Sequence, residues 1–556
     1  MAKKSKYSDW PKEDLIKRIA ALERRKKYGL VWDEERTKEK FEADAEGKLP
    51  VLKEVKSKEI KADSAKPTHI LIEGDNFHAL SVLAYTHEKA IDVIYIDPPY
   101  NTGARDWKYN NNYVDINDAY RHSKWLSMMS NRLKVAKRLL KRDGVLICAI
   151  DENERDRLGL LLEDTFKEHE LHCITIVHNP RGVQGTNLSY THEYAYFVFR
   201  RGLKVIGDRR IKEEDIYWSN LRNWGSESLR EDAKNCFYPV IVEDERVVGF
   251  GDVLPNDIHP DRQAVKMGRQ FYVYPIDKKG IERKWRYARQ SVEEIKHLLR
   301  VKSTNSRIEI ELGKDFGTVR TVWQDSRYDA NDYGTGLVHE LVPNADFDFP
   351  KSVYNTYDCI APILYDRKDA IVLDYFAGSG TTGHALMILN KEDNGKRQII
   401  LCTNNENEIA QKVCFPRIKK VIEGHDDYPD ITGIPGNLKY YKTTFVASEP
   451  TDRNKVLLTK EAVEMLCLRE NTFDLVSENE TIKTYCNKDH YTGIIFDQLS
   501  IPKFKKAASK YDKPVSVYIF SLGDDDFSDE FADMKKAVKV CPIPEAILRV
   551  YRRIFK

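Results

Sequence analysis

Short apolar runs alternate with helical segments in the first third of this chain, and no other feature limits its fold as much. The runs typical of buried strands are HILIE (69–73), DVIYI (92–96) and GVLICAI (144–150), and helical spacing occupies 76–87 and 118–142 between them. Strands that alternate with helices favour a parallel sheet, because each parallel strand needs a crossover connection. The sequence therefore predicts an α/β fold with a doubly wound, mostly parallel sheet.

The alternation stops near residue 178 and returns after residue 335 as strands over 371–374 and 398–403, which are followed by predicted helices over 381–389 and 407–423. Between these positions Gly, Pro, Asn, Arg and Trp occur in mixed order with short β-like runs, which predicts a lobe inserted into the sheet domain. The predicted parts are an amino-terminal helix and charged arm (1–66), the first part of the sheet domain (67–177), the inserted lobe (178–335), the second part of the sheet domain (336–445) and a small α/β module (446–556).

Composition excludes several classes of protein. Lys and Arg number 90 against 88 Asp and Glu, a net charge of +2, so nucleic-acid binding must depend on local basic surface. No apolar run approaches the roughly 20 residues of a membrane span, and the opening MAKKSKYSDW lacks the apolar core of a secretory signal. Nine cysteines without a Cys-x-x-Cys pair are typical of a reducing compartment and predict no structural metal site. We expect a cytoplasmic protein without a membrane segment.

A glycine-rich loop, DYFAGSGTTG (374–383), follows one predicted strand and opens a helix. Glycines let the backbone approach a ligand, and a helix amino terminus offers free N–H groups to an anion. The loop matches the G-x-G-x-x-G pattern of nicotinamide enzymes. That pattern requires an acid at the end of the next strand, whereas this strand ends CTNN (402–405), which weakens the dehydrogenase interpretation.

Two further loops follow predicted strands. Asp97-Pro98-Pro99-Tyr100 comes directly after the strand 92–96, and Glu73-Gly74-Asp75 ends the strand 69–73. Open α/β sheets bind ligands at the carboxyl ends of their strands, so these loops and the glycine-rich loop are predicted to meet in one crevice. Alone, the Asp97 loop is also compatible with a tight Pro-Pro turn, and Gly-Asp after a strand is most often just a turn.

The combination of these motifs resembles the β class of amino-group DNA methyltransferases, and in particular the modification (Mod) subunits of type III restriction–modification systems. In that class the catalytic loop precedes the cofactor loop, as DPPY precedes FAGSG here. The resemblance covers residues 10–445. The stretches that carry it are IEGDNFHAL (72–80), IYIDPPYNTG (94–103), GVLICAIDENE (144–154), THEYAYFVF (191–199), FDFPKS (347–352) and FAGSGTTGHAL (376–386).

The resemblance implies transfer of a methyl group from S-adenosyl-L-methionine to the N6 amine of a flipped-out adenine. That amine is a poor nucleophile, because its lone pair is delocalised into the ring. The Asp97 carboxylate would accept one amino hydrogen and the Pro98 carbonyl the other, held by the rigid Pro98-Pro99 segment. Tyr100 would stack on the base. Asp97 favours adenine, because the family tends to carry Ser at this position when the substrate is cytosine.

The resemblance also implies a set of cofactor contacts. Asp374 would hold the methionine ammonium, Asp75 would meet the adenine end, and Phe376 with Gly378 and Gly380 would lie against the cofactor. The carboxylate contacts would be Thr381, Thr382 and Lys351. The family often places an acid at the ribose, and CTNN has none; Asn404, Asn405 or Glu406 could substitute, and the sequence does not decide among them.

The inserted lobe would recognise the target sequence in double-stranded DNA, and the family analogy implies a homodimer with a separate helicase–nuclease subunit. The module 446–556 is predicted to serve dimerisation or partner docking. Alternatives are N4-cytosine methylation, a recognition subunit with little methylation activity, a fused endonuclease and a nicotinamide enzyme. Side chains of the lobe suited to phosphates and bases are Arg181, Arg200, Arg201, Arg222, Arg262, Arg269, Arg283, Arg286 and Arg289, with Trp218, Trp224 and Trp285.

Overall fold

A computed structural model gives the fold, and its residues group into two compact units. The first unit comprises Met1–Ile206 and Arg320–Lys556, and the second comprises Gly207–Val319. The residues that the structure describes are 10–23, 30–34, 36–39, 47–63, 65–110, 112–211, 216–304, 307–424, 433–523, 525, 527–534 and 537–555.

The first unit is built around one large mixed sheet. The strands are β1 Lys48–Glu54, β2 Ile60–Lys61, β3 Thr68–Glu73, β4 Ile91–Ile96, β7 Leu140–Ile150, β8 His169–Val177, β11 His192–Arg200, β21 Val322–Gln324, β22 Ile371–Asp374, β23 Gln398–Thr403 and β24 Asn437–Ala447. They lie in the order β1-β24-β3-β23-β22-β4-β7-β11-β8-β21, with β2 paired to β24. The run from β24 to β7 is parallel throughout, which confirms the predicted doubly wound, mostly parallel sheet.

The central strands of this sheet are buried and mostly apolar. Every residue of β4 and β23 is buried, as in a sheet covered on both faces, which explains why neither strand shows the alternation of a half-exposed strand. The α-helices of the first unit are Lys12–Glu23, Asn76–Thr86, Arg121–Leu139, Arg155–Thr165, Leu337–Leu341, Val353–Leu364, Thr381–Asp393, Phe415–Glu423, Asp452–Glu461, Val463–Glu470, Ile501–Ala508 and Glu545–Ile554. No helix among the described ranges combines the length and apolarity needed to cross a bilayer.

Two segments differ from the sequence-based expectation. The charged arm contributes the edge strand β1, because Leu49, Val51 and Leu52 bury their side chains against the main core. The strands β11 and β21, which lie within the range predicted as the inserted lobe, extend the main sheet: β11 pairs with both β7 and β8. Short pairs accompany them: β5 Ala104–Tyr109 with β6 Asn112–Asp115, and β9 Val183–Gln184 with β10 Ser189–Tyr190.

The helix predicted over 407–423 is interrupted. A 3-10 turn at Glu406–Glu408 leads into a π-helical segment at Ile409–Cys414, and α-helix begins only at Phe415. Asn407 and Glu408 both have positive φ, at 49° and 59°. Left-handed backbone is unfavourable for residues with a Cβ and is concentrated at functional sites, so this turn is locally strained.

The carboxyl-terminal part forms a second, five-stranded sheet that belongs to the first unit. Helix Glu545–Ile554 packs into the main core through Ile547 and Tyr551, and the Tyr551 hydroxyl donates a hydrogen bond to the Pro50 carbonyl at 2.5 Å. The strands, in their order in the sheet, are β25 Asp474–Glu478, β26 Ile482–Cys486, β27 Tyr491–Ile495, β28 Val515–Phe520 and β29 Val538–Ile543.

The second unit is made of small antiparallel sheets around its own core. That core includes Tyr238, Trp285 and Ile310. Its sheets have the orders β12-β20, β13-β19-β18 and β15-β14-β17-β16. The strands are β12 Arg209–Arg210, β13 Trp218–Asn220, β14 Val240–Glu243, β15 Arg246–Phe250, β16 Ala264–Met267, β17 Gln270–Val273, β18 Leu299–Thr304, β19 Arg307–Gly313 and β20 Phe316–Gly317.

Candidate active site

The loops singled out in the sequence follow neighbouring parallel strands of the main sheet. β22 lies between β23 and β4, and β3 pairs with the other edge of β23. Asp75 follows β3, Asp374 ends β22 and Asp97 follows β4, so all three acids lie at one edge of the sheet. This is the place where open α/β sheets bind their ligands.

The Asp97–Tyr100 loop is anchored by hydrogen bonds at Pro99 and at the adjacent Asn101. The indole of Trp125, on helix Arg121–Leu139, donates a hydrogen bond to the Pro99 carbonyl at 2.7 Å. Asn101 has a positive φ of 58° and is fully buried, and its amide donates to Glu154 Oε1 at 2.5 Å. Proline fixes φ, so two successive prolines between these anchors leave the loop little conformational freedom.

Asp97 is a partly buried carboxylate. Its side chain is 28% exposed, whereas its Oδ1 is shielded from solvent and has no hydrogen-bond partner among the described residues. Burial raises the pKa of Asp97, and the Lys351 ammonium, with Nζ 3.5 Å from Oδ1, opposes that rise. A donor outside the chain can therefore reach the exposed part of this carboxylate, while Oδ1 keeps unused acceptor capacity beside Lys351.

Lys351 lies beside this loop and is surrounded by polar groups. Its Nζ donates to the Tyr100 hydroxyl and to Glu193 Oε2 and sits 4.5 Å from the centre of the Tyr100 ring. Glu193 in turn accepts hydrogen bonds from Tyr100 Oη at 3.1 Å and from Asn355 Nδ2 at 2.7 Å. The structure thus places Lys351 beside the Asp97–Tyr100 loop, and the cofactor contact that the family resemblance implies for Lys351 stays a prediction.

Glu193 was not singled out from the sequence. It lies on β11 and is 3% exposed, in a strand whose alternate residues Ala195 and Phe197 are also buried. The sequence feature that indicates a special role for Glu193 is the position of an acid on the buried face of an apolar strand. Ionised groups are rarely buried without a partner.

Asp374 is almost fully buried at the end of β22. Its Oδ2 accepts a hydrogen bond from Thr382 Oγ1 at 2.6 Å, and its Oδ1 accepts one from the Phe376 amide at 2.9 Å. Burial raises the pKa of Asp374 to about 7, and the nearby charge of Asp97 adds to the rise. The carboxyl therefore titrates near neutrality and would be stabilised as an anion by any cation placed against it.

The glycines of the following loop are required by its backbone. Gly378 and Gly380 have φ of 49° and 82°. A Cβ on Gly378 would lie 3.0 Å from Phe347 Cζ, and one on Gly380 would lie 3.1 Å from Cys414 Sγ. Because helix Thr381–Asp393 starts directly after Gly380, the loop also presents the amide end of a helix.

A buried arginine lies beneath this loop. Arg417 is 0% exposed, and its Nη1 donates to Ser379 Oγ at 2.9 Å and to Thr381 Oγ1 at 2.8 Å. Its Nε and Nη2 have no hydrogen-bond partner within the described residues, and burial lowers its pKa to about 10, so it remains a cation at neutral pH. A fixed positive charge therefore supports the end of the loop where the helix begins.

The loop therefore combines an anionic and a cationic feature. The Asp374 carboxyl suits an ammonium group, while the helix amino terminus above the Arg417 guanidinium suits a carboxylate. An α-amino-acid group carries both charges, so the residues present fit the methionine part of S-adenosylmethionine. The resemblance implies that Thr381 and Thr382 contact that carboxylate. In the structure the Thr381 hydroxyl accepts a hydrogen bond from Arg417, and the Thr382 hydroxyl donates one to Asp374.

Asp75 caps the helix that begins at Asn76. Its Oδ1 accepts a hydrogen bond from the Phe77 amide at 2.8 Å, and its Oδ2 lies 3.5 Å from Arg132 Nη2. Arg132 also donates to Asn76 Oδ1 and to the buried Glu39. The side chain of Asp75 is 37% exposed, so one face of the carboxylate remains accessible.

The ribose position implied by the resemblance has several polar side chains near it. Asn404 is exposed at the end of β23, and Asn405 Oδ1 accepts a hydrogen bond from the Gln411 amide at 3.2 Å. Glu406 Oε1 lies 3.8 Å from Lys108 Nζ. Asn404 and Glu406 thus keep exposed polar atoms, whereas Asn405 is committed to the turn.

Asp151, directly after β7, is a further acid at a strand end, and it is not among the predicted site residues. Burial raises the pKa of Asp151 to about 6, against hydrogen bonds from Asn153 that lower it. It follows the strand next to β4, and the Lys351 charge acts on it. Its signal in the sequence was the same as for Asp97: an acid directly after a buried strand.

In the second unit most of the residues predicted to contact DNA have structural partners. Arg222 is 2% exposed and pairs with Glu309 at 3.2 Å, and Arg289 donates to the Gly251 carbonyl at 2.7 Å. Trp285 is 1% exposed in the core. Trp224, by contrast, is 54% exposed, and the guanidinium carbon of Arg222 lies 5.0 Å from the centre of its ring.

Comparison with known proteins adds an independent observation. A family model described as DNA methylase matches residues 91–413. Type II methyltransferase M.KpnI of Klebsiella pneumoniae is 29% identical over 393 residues, which cover 64% of this chain and 88% of that protein.

Two type III relatives are also similar. The EcoPI Mod subunit of Escherichia phage P1 is 27% identical over 433 residues, 67% of this chain and 64% of that subunit. The StyLTI Mod subunit of Salmonella typhimurium is 27% identical over 400 residues, 65% of this chain and 56% of that subunit. The chain thus spans less than two thirds of the length of either Mod subunit.

Proposed function

This chain belongs to the DNA methylase family, and we propose that it transfers a methyl group from S-adenosylmethionine to the N6 amine of adenine in double-stranded DNA. The observation that carries the proposal is the partly exposed Asp97 carboxylate, which has unused acceptor capacity and lies on a rigid Pro-Pro loop one strand away from Asp374 and the glycine loop. A loop that binds an amine and a loop that binds an amino-acid group are thereby placed side by side.

The chemistry required of the chain is to orient a weak nucleophile. The Asp97 carboxylate accepts one hydrogen of the exocyclic amine, and the Pro98 carbonyl accepts the other. Two acceptors at fixed positions localise the nitrogen lone pair in the direction of attack, which is catalysis by positioning and by electrostatics. The methylated amine then gives up one hydrogen as a proton, for which ionised Asp97 is the adjacent acceptor.

The cofactor is held by its amino-acid part. The Asp374 carboxylate binds the ammonium, the helix start above Arg417 binds the carboxylate, and the Gly378–Gly380 backbone lies against the chain of the ligand. S-adenosylmethionine supplies an electrophilic methyl group on its sulfonium sulfur. Asp75 and Phe376 complete the pocket, and Asn404 or Glu406 takes the ribose hydroxyls.

The substrate base is adenine rather than cytosine, as the family tendency for Asp at position 97 implies. A base inside a duplex is out of reach, so it must be flipped out to meet Asp97. Tyr100 supplies an aromatic face, and Lys351, 4.5 Å from the ring centre, fixes that ring in place. Stacking on one aromatic side chain stabilises an extruded base by about 1–3 kcal/mol.

We further propose that the protein is the modification and specificity subunit of a restriction–modification system. The similarity to the EcoPI and StyLTI Mod subunits supports this role. In it the second unit reads the DNA sequence, the carboxyl-terminal sheet serves a homodimer contact or docks a helicase–nuclease subunit, and the protein acts in the cytoplasm.

Nucleoside mass spectrometry tests the reaction. DNA of varied sequence is incubated with purified protein and S-adenosylmethionine, next to an Asp97→Ala variant. An Asp143→Ala variant is the matched control, because Asp143 precedes the apolar part of the adjacent strand β7 but its side chain is 53% exposed. N6-methyladenine that disappears only with Asp97→Ala supports the proposal.

Other outcomes of the same measurement count against it. N4-methylcytosine would keep the methylase and overturn the choice of base. If wild-type protein modifies no DNA, the proposed activity is wrong for the isolated chain, and cofactor binding by calorimetry then separates a recognition subunit from an enzyme that lacks its partner.

A further inference from the structure

We propose that Glu193 is a positioning residue for methyl transfer, which holds the Lys351 ammonium away from Asp97 and so keeps the Asp97 carboxylate open for the substrate amine. The inference rests on the proposed function of the Asp97 loop. Neither the family resemblance nor the similar proteins assign a role to Glu193.

The position of the ammonium is the first step. Lys351 Nζ donates hydrogen bonds to Glu193 and Tyr100, but it lies 3.5 Å from Asp97 Oδ1, a buried oxygen that has no hydrogen-bond partner in the described part of the chain. Lys351 thus has two carboxylates within ion-pair reach and lies much closer to that of Glu193 than to that of Asp97. Because of this unequal sharing, Asp97 makes only a long ion pair with Lys351 and keeps acceptor capacity for a substrate amine.

The fixed position of Glu193 is the second step. Its backbone lies on β11, which pairs with β7 on one side and β8 on the other. Its Oε1 accepts from Asn355 Nδ2 at 2.7 Å, while Oε2 accepts from Lys351 and from Tyr100 Oη. A carboxylate anchored through both oxygens on an interior strand cannot follow the ammonium if the ammonium moves.

The consequence of losing this anion is the third step. Without a negative charge at position 193, the carboxylate remaining within 4 Å of Lys351 Nζ among the described residues is that of Asp97. Lysine has a flexible stem and a compact charge, so a short movement would bring its donors onto Asp97. The substrate amine would then compete with a charge-assisted hydrogen bond for its acceptor.

The groups around Asp97 make the inference sensitive to pH. Charges from three elements act on it: Lys351 lowers its pKa, Glu193 raises it, and Asp374 at the end of β22 lies close enough to interact. Removing Lys351 should therefore raise the pKa of Asp97, whereas removing the Glu193 charge should lower it. Among the described residues, the hydroxyls of Tyr95 and Tyr100 and the thiol of Cys148 also interact with Asp97.

The experiment compares Glu193→Gln, Lys351→Met, the double variant and Glu168→Gln in single-turnover methylation of a duplex carrying the target site. Glu168→Gln is the matched control, because that glutamate precedes β8 and is 71% exposed. The amide of Glu193→Gln preserves the size of the side chain. Calorimetric Kd values for S-adenosylhomocysteine and thermal unfolding are measured for every variant.

We expect Glu193→Gln to slow methyl transfer by about tenfold to a hundredfold, less than the roughly hundredfold to thousandfold effect of losing a group that contacts the reacting atoms, because Glu193 acts through Lys351. Its cofactor Kd should stay unchanged, because only the acceptor loop is affected. The double variant should be faster than Glu193→Gln alone, since it lacks the competing cation. The acidic limb of the pH–rate profile should move to lower pH in Glu193→Gln and to higher pH in Lys351→Met.

Three results would overturn the inference. The first is a Glu193→Gln rate equal to that of wild type. The second is a double variant no faster than Glu193→Gln, and the third is a loss of cofactor affinity that accounts for the whole loss of rate. A wild-type protein that methylates no DNA would remove the proposed function and this inference together, whereas an active wild type beside an unaffected Glu193→Gln removes the inference alone.

Discussion

The affinity for S-adenosylmethionine should depend on pH through one buried carboxyl. Asp374 is 2% exposed and has a pKa raised to about 7 by burial, and the cofactor's ammonium binds its ionised form. An α-amino group has a pKa of about 7.7, so its protonated fraction rises only about 1.6-fold when the pH is lowered from 7.5 to 5.5. With a pKa of about 7, the ionised fraction of Asp374 falls about 25-fold over the same interval. Binding should therefore weaken about 15-fold, equivalent to about 1.6 kcal/mol of binding free energy.

Isothermal titration calorimetry across this pH range measures the effect. Asp374→Asn should bind weakly and without this pH dependence. Asp151→Asn is the matched control, because Asp151 follows a strand of the same sheet edge and titrates at about 6, yet it is not placed against the ammonium. It should therefore keep both the affinity and its pH dependence.

Stability gives a separate check on Asp374. Because the folded carboxyl has a higher pKa than the 3.8 of an unfolded one, the folded state binds more protons between pH 4 and 7. The free energy of unfolding of the ligand-free protein should therefore fall as pH rises through that window. Asp374→Asn removes this contribution, so its weak binding should not be accompanied by a lower free energy of unfolding at pH 7.5.

Two results would refute the assignment of Asp374 to the ammonium. One is a wild-type affinity that is constant from pH 7.5 to 5.5, and the other is an Asp374→Asn variant that binds like wild type.

Three more variants test other parts of the structure. Gly380 has a φ of 82°, and a Cβ at this position would lie 3.1 Å from Cys414 Sγ. Gly380→Ala should therefore lower the free energy of unfolding by about 1–2 kcal/mol in thermal unfolding and weaken cofactor binding in calorimetry. An unchanged variant would contradict the loop geometry. Trp224→Ala should weaken DNA binding by about 1–3 kcal/mol in fluorescence anisotropy without a change in thermal stability, and equal affinity would count against its role in stacking. Trp285→Ala, in the core of the same unit, should instead lower the free energy of unfolding by about 3–5 kcal/mol in chemical denaturation, and a stable variant would show that the core is misplaced.

The main sheet could be predicted because its strands carry their own signal. β4 and β23 are buried at every position and mostly apolar, and the predicted carboxyl ends of the strands agree with the observed ones. The edge of the sheet could not be predicted in the same way. β1 sits in a segment rich in Lys and Glu, and β11 alternates as a strand of any sheet would, so only the pairing with β24 and with β7 shows where they belong.

The candidate site divides along the same physical line. Asp97 and Asp374 could be predicted because they lie at the ends of strands, and the glycines because the loop requires a positive φ. Both are local properties of the chain. Charge pairing is not local: Lys351 and Glu193 are separated by 158 positions. The same pattern of residues could have placed the ammonium on a cofactor carboxylate, as the resemblance implied. Whether Lys351 contacts Glu193 or a cofactor carboxylate depends on which face of β11 carries Glu193. It also depends on where the start of helix Val353–Leu364 places residue 351. Because that choice decides whether Asp97 is open or capped by a cation, the reactivity of the acceptor loop follows from a contact that the motif itself does not contain.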